Sequence, residues 1–122
     1  MAEKRAPGIR LRISLDPDIA IGPGKARLLE GIRDTGSIAA AGRGMGMSYK
    51  RAWLLVNTMN ACFRKPLVSA SRGGSQRGGA VLTPEGVTVL ALFRGMEKKT
   101  ATAIAPEMRR LRRRMGVMSE GK

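Results

Sequence analysis

The side chains with the clearest chemical purpose lie between Gly36 and Phe63, in the run GSIAAAGRGMGMSYKRAWLLVNTMNACF. Ala52, Val56, Met59 and Phe63 recur at steps of three and four, so they share one side of a helix and point inward. Tyr49, Lys50, Trp53, Leu54 and Asn57 fall on its other sides, close to its start. Hydrogen-bond donors and apolar groups so placed suit the major groove, where base edges offer acceptors and thymine offers a methyl group. Lys50 and Arg51 suit phosphate oxygens, which supply charge-driven affinity without sequence information. An ordinary amphipathic helix with a solvated basic first turn accounts for the same pattern.

Catalytic and metal chemistry are poorly provided for. The chain has no histidine and one cysteine, Cys62, which removes the commonest general base and most zinc ligand sets. Its few acids form no recognisable pair or nucleotide site. No catalytic residue, metal ligand or cofactor is therefore expected. Cys62 excludes an internal disulfide, fits a reducing cytoplasm and reads as a small packed thiol.

The balance of charge points the same way as the helix. There are 23 Lys and Arg against 9 Asp and Glu in 122 residues, a formal net charge of +14. Such an excess repels itself unless an anionic partner compensates it, and nucleic acid is the usual partner for a basic domain of this size. No apolar run is long enough to span a bilayer, and MAEKRAPG lacks the apolar segment of a secretory signal. A cytoplasmic, nucleoid-associated location follows, with no membrane partner.

The surrounding elements can be read from pattern. Residues 1–8 are expected to form a disordered arm. Ile9, Leu11, Ile13 and Leu15 alternate with Arg10, Arg12 and Ser14, which predicts one strand ended by Asp16-Pro17-Asp18. Gly22-Pro23-Gly24 marks a break, and a helix follows from about Lys25, burying Leu28, Leu29 and Ile32 with Glu30 and Arg33 facing out. Gly36 suits its left-handed cap. Ser37 caps a short helix carrying Ala39, Ala40 and Ala41, and Ser48 caps the next. Gly42 and Gly44 should each weaken the short helix by about 1 kcal/mol. With Gly44-Met45-Gly46-Met47 as the turn, the pair reads as a helix-turn-helix.

Arg64-Lys65-Pro66 closes the second helix. Leu67–Ser71 and Ala80–Thr83 read as strands around Arg72-Gly-Gly-Ser-Gln-Arg-Gly-Gly79, a basic wing whose Arg72, Gln76 and Arg77 would lie against DNA. A merely mobile loop and an arginine-glycine RNA-binding tract compete with that reading, while the phosphate-loop signature fails. Thr83-Pro84-Glu85 opens a long helical region with Val89, Leu90, Phe93 and Met96 as its stripe. Ile104, Met108, Leu111 and Met115 continue it past a kink or restart at Pro106. A stripe that outruns a small domain needs cover, either from a second copy or from the chain's own strand and first helix. The run Arg109–Arg114 is left without an assigned role.

Taken in order, residues 24 to 94 resemble the N-terminal DNA-binding domain of ModE, the molybdate-responsive bacterial transcriptional regulator, a winged helix related to the LysR-type domain. The likeness rests on Leu28-Leu29-Glu30-Gly31-Ile32, Thr35-Gly36-Ser37-Ile38, Met47-Ser48-Tyr49-Lys50-Arg51-Ala52-Trp53, Met59-Asn60, Pro66-Leu67-Val68, the glycine-rich wing and Leu82-Thr83-Pro84-Glu85-Gly86. It implies a homodimer on palindromic operator DNA, with the Ser48-to-Asn57 side in the major groove and the wing along the backbone. The molybdate-binding domains of ModE have no counterpart in 122 residues, so direct molybdate binding is not expected. The reading is then a mainly α fold with a small β component: a winged helix-turn-helix over 9–94 and a dimerisation helix with a basic tail over 95–122. The expected function is a sequence-specific transcriptional regulator contacting double-stranded DNA through Ser37, Ser48, Tyr49, Lys50, Arg51, Trp53, Asn57, Arg72, Gln76 and Arg77. An architectural, nucleoid-type protein that coats DNA without choosing sequence is the alternative.

Overall fold

The computed structural model describes residues 8–16, 19–71 and 79–115. The expected arm, apart from Gly8, and the tip of the basic loop lie outside the described residues. Two short antiparallel pairs and five helices are present among them: β1 (Ile13–Asp16), β2 (Ile19–Ile21), α1 (Pro23–Thr35), α2 (Ile38–Gly44), α3 (Tyr49–Cys62), β3 (Val68–Ala70), β4 (Ala80–Leu82), α4 (Pro84–Ala103) and α5 (Ala105–Arg114).

The N-terminal region differs from the single strand expected over Ile9–Leu15. β1 ends at Asp16 as expected, but a second strand, β2, pairs with it, with Ile13 opposite Ile21 and Ser14 opposite Ala20. The alternation holds through Ile9, Leu11 and Ile13, which are half-buried beside exposed Arg10, Arg12 and Ser14. It fails at Leu15 because the register shifts between Ser14 and Asp16. A residue bulged out of the ladder loses the inward side that strict alternation would give it, and Leu15 is exposed.

Helix α1 begins earlier than Lys25. Pro23 stands in its first turn, where the missing N–H costs nothing, so Gly22-Pro23-Gly24 is a helix start as well as a break. Gly36 closes it at φ 73°, with its N–H donating to the Ile32 carbonyl at 2.8 Å. Ala26, Leu28, Leu29 and Ile32 are buried. Glu30, expected to face solvent, is drawn to α4: the Arg94 guanidinium donates to both of its carboxylate oxygens, at 2.9 and 2.7 Å.

The short helix α2 lies between α1 and α3, and two glycines set how closely. A methyl group on Gly31 would lie 2.8 Å from Ala41 Cβ, and one on Gly42 would lie 2.9 Å from Ala52 Cβ. Gly42 is therefore a contact point with α3 as well as a weak helix former. Gly44 meets nothing, and Gly46 takes φ 74° in the turn.

The β3–β4 pair runs Val68 opposite Leu82 to Ala70 opposite Ala80. It is held at its base from several directions. Asn60, on the last turns of α3, accepts from the N–H groups of Leu67 and Val68 at 2.8 and 3.1 Å and donates to the Val68 carbonyl at 3.0 Å. The Thr83 hydroxyl caps α4 by accepting from Gly86 N–H at 2.9 Å, and it donates to the Pro66 carbonyl at 2.7 Å. Gly86 sits so close to Leu67 that any Cβ there would overlap the Leu67 carbonyl oxygen. On the other side, Ala80 N–H donates to the Gly36 carbonyl at 2.9 Å.

Phe93 and Leu90 of α4 complete the core with Leu28, Leu29, Ile32, Val56 and Leu67. The helix ends at Ala103 and α5 starts at Ala105, with Pro106 in its first turn, as the restart at that proline requires. Met96, expected in the buried stripe, is exposed, as are Leu111 and Met115.

Candidate nucleic-acid interface

Ser37 and Ser48 set the two helices at the centre of the candidate site. Ser37 Oγ accepts from Ala40 N–H at 3.0 Å, and Ser48 Oγ accepts from Arg51 N–H at 3.1 Å. Each thereby satisfies a backbone donor left open by the helix geometry. Between them the chain turns tightly: the N–H groups of Met45 and Met47 both donate to the Gly42 carbonyl, and Gly46 N–H donates to Arg43.

This arrangement orients α3. Ala52, Val56 and Met59 are buried in the core, with α2 packed against α3. On the opposite side Lys50, Leu54, Asn57, Thr58 and Ala61 are exposed. Arg51 and, at the end of α2, Arg43 are exposed beside that row. Neither Lys50 nor Arg51 has an ion-pair partner among the described residues. The start of α3 therefore carries uncompensated positive charge, with no acidic residue in its first turn.

The two aromatic residues hold one another. Tyr49 and Trp53, one helical turn apart, meet edge to face with ring centroids 6.3 Å apart, and Trp53 Nε1–H donates to the Tyr49 hydroxyl. Trp53 is half-buried against the core while Tyr49 is exposed. Trp53 thus braces the helix, and Tyr49 presents an outward ring already oriented by its neighbour.

Of the ten residues named from sequence, seven are described: Ser37, Ser48, Tyr49, Lys50, Arg51, Trp53 and Asn57, which gather on α3 and the start of α2. Arg72, Gln76 and Arg77 lie outside the described residues. Two positioning residues escaped the sequence reading. Asn60 fixes the base of the β3–β4 pair to α3, and Arg94 joins α1 to α4 while also donating to Glu97 at 2.7 Å. The hydrogen bonds from Arg94 hold the Glu30 carboxyl below the usual carboxylate range, against the opposing effect of burial. The same bonds raise Arg94.

Among the described residues no group of acids, histidines and cysteines could hold a metal ion. No helix among them is long and apolar enough to cross a membrane.

No family model matches the chain. Curated relatives do. The molybdenum-pterin-binding protein MopB of Rhodobacter capsulatus is 42% identical over 85 residues, covering 70% of this chain and 32% of MopB. The molybdenum transport protein ModE of Azotobacter vinelandii is 40% identical over 95 residues, covering 76% of this chain and 35% of that protein. The DNA-binding transcriptional dual regulator ModE of Escherichia coli is 36% identical over 85 residues, again 70% of this chain and 32% of the relative. The chain thus spans about a third of the length of the curated relatives it matches. These relatives are named for molybdenum binding, transport or regulation, and none of the three names denotes an enzyme.

These names correct the resemblance drawn from the motifs. Likeness to the N-terminal DNA-binding domain of ModE, taken without its molybdate-binding domains, is too narrow: MopB and MopA, at 42% identity, are named for binding molybdenum-pterin. The winged helix-turn-helix class assigned on that likeness is corrected with it, since those names point to molybdenum-pterin binding and not to that class. The expectation that direct molybdate binding is absent is overturned on the same ground. It had rested on chain length alone, which says nothing about what a matched segment binds.

Proposed function

We propose that this chain belongs to a transcriptional regulator of the ModE kind, tied to molybdenum, and that it binds duplex DNA with the outward row of α3 in the major groove. One observation carries the reading: α3 is capped by Ser48 and buried along Ala52, Val56 and Met59, so Lys50, Leu54 and Asn57 stand exposed on a rigid support. Cations at that helix start suit phosphates, and a polar-apolar row suits base edges. The net charge of +14 supports the anionic partner. A homodimer on a palindrome is the matching assembly, with the exposed Met96, Leu111 and Met115 as its covered residues.

Selection of binding sites from random duplex DNA tests this. An enriched palindrome is the expected result, while a flat library would favour the architectural alternative. Lys50→Ala should weaken binding to the enriched site by about tenfold and lower the salt slope by about one. Binding like wild type would remove Lys50 from the interface.

Molybdenum enters the proposal through the names of MopB and MopA. The described residues bury no polar or charged side chain, so they offer an oxyanion exposed cations and no enclosed set of donors. Calorimetric titration of the chain with molybdate reads binding directly. Heat of binding supports the molybdenum part of the proposal, and its absence removes it for this chain.

A further inference from the structure

We infer that Leu54 reads the 5-methyl group of a thymine in the major groove, an assignment that rests on the DNA reading above. Leu54 is the most exposed large apolar residue described, at 63%. It stands mid-row on the outward side of α3, four residues after Lys50 and three before Asn57.

The other large apolar and aromatic side chains of this helix have partners. Trp53 and Leu55 pack against the core, and Tyr49 is engaged by Trp53 through its ring edge and hydroxyl. Leu54 packs against nothing in the core, and only its carbonyl is used, accepting from the Thr58 hydroxyl at 2.9 Å. A single exposed leucine on a protein surface is unremarkable in isolation. Here it stands one turn after Lys50 and Arg51, cations without counterions at the capped start of the helix, in a chain of net charge +14. A charge pattern of that kind selects a polyanion as occupant. Within duplex DNA, thymine is the one base that presents an apolar group in the major groove. A leucine on a groove-facing row has no hydrogen bond to offer and would gain only from that methyl.

The assignment is tested by removing the methyl without disturbing base pairing. Each thymine of the site enriched by selection is replaced singly by uracil, and affinities of the wild-type chain and Leu54→Ala are measured at one salt concentration. The expected result is a thymine in each half-site whose replacement weakens wild-type binding about fourfold, the effect of one buried methyl-sized group. Leu54→Ala should bind thymine and uracil versions alike. Lys50→Ala should keep the fourfold difference, because a phosphate contact is blind to the base.

Leu54 being exposed, the variant should unfold at the wild-type temperature, which is checked alongside. If Leu54→Ala retains the full difference between thymine and uracil, or if no thymine shows one, the assignment is overturned. Should Leu54→Ala instead alter self-association in sedimentation while uracil has no effect, the side chain serves a protein contact and the assignment is again lost. An enriched site indifferent to uracil overturns the Leu54 assignment alone, whereas a flat selection overturns the sequence-specific reading with it.

Discussion

The two ends of the helical region contrast. At the start of α4, Leu90 and Phe93 sit within the core, Phe93 with no exposed surface at all. In α5, apolar residues recur at similar spacing, yet none is buried, and Leu111 is 58% exposed. Periodicity is the same in both places; what differs is whether the chain has anything to lay against the stripe. α1 and the β3–β4 pair lie against the first half of α4. α5 carries Arg109, Arg110, Arg112, Arg113 and Arg114 around its few apolar positions, and among the described residues its main contact is with α4. Helical spacing therefore reports a preference for burial and leaves the partner unstated.

Truncation at matched positions sharpens this contrast most. Phe93→Ala should cost about 3–5 kcal/mol in a denaturant titration, the usual loss for a buried aromatic. Leu111→Ala should change the stability of the isolated chain by less than about 0.5 kcal/mol. Equal losses at the two sites would mean that α5 is covered in solution.

A second comparison sits within α2. Gly42→Ala should destabilise by about 1–3 kcal/mol, because its methyl would press on Ala52 and separate α2 from α3. Gly44→Ala, with open space around it, should stabilise by about 0.5–1 kcal/mol through the reduced freedom of the unfolded chain. Thermal unfolding of the two variants in parallel reads the sign of each. A reversed order would show that α2 does not pack as described.

The smallest effect concerns the tie between α1 and α4. The Glu30 carboxyl titrates lower in the folded chain than in the unfolded one. Its contribution is thus present above the unfolded value, and it is lost as pH falls through the folded value. Glu30→Gln should remove about 1 kcal/mol near neutral pH and flatten the acid side of the stability profile. An unchanged acid limb would mean that the pairing contributes nothing measurable in solution.

Legibility in the sequence followed the range of the interaction. The capping bonds of Ser37, Ser48, Thr83 and Gly36 lie within a few residues of each, and those roles were readable from residue type and neighbours. Gly42 was readable only as a weak helix former, because its contact with Ala52 belongs to the folded chain. Asn60 reaches seven and eight residues ahead, and Arg94 reaches back to Glu30. No local period announces such bonds. The β2 strand was hidden by its brevity behind Asp16-Pro17-Asp18, a segment that marks a turn between strands as readily as an end. For the candidate interface, the outward row of α3 was visible from spacing, but which member lacks a partner was not. That required seeing Tyr49 and Trp53 occupied with each other.

The base of the β3–β4 pair has a mechanical consequence. Leu67 is gripped by Asn60 from α3, while Thr83, the cap of α4, bonds Pro66 and Gly86 of α4 lies close against Leu67. A tilt of α4 about its first turn cannot be absorbed there. It must drag the Pro66–Val68 segment and, through Asn60, the far end of α3, so a lever pulled at one end of the molecule is felt at the other.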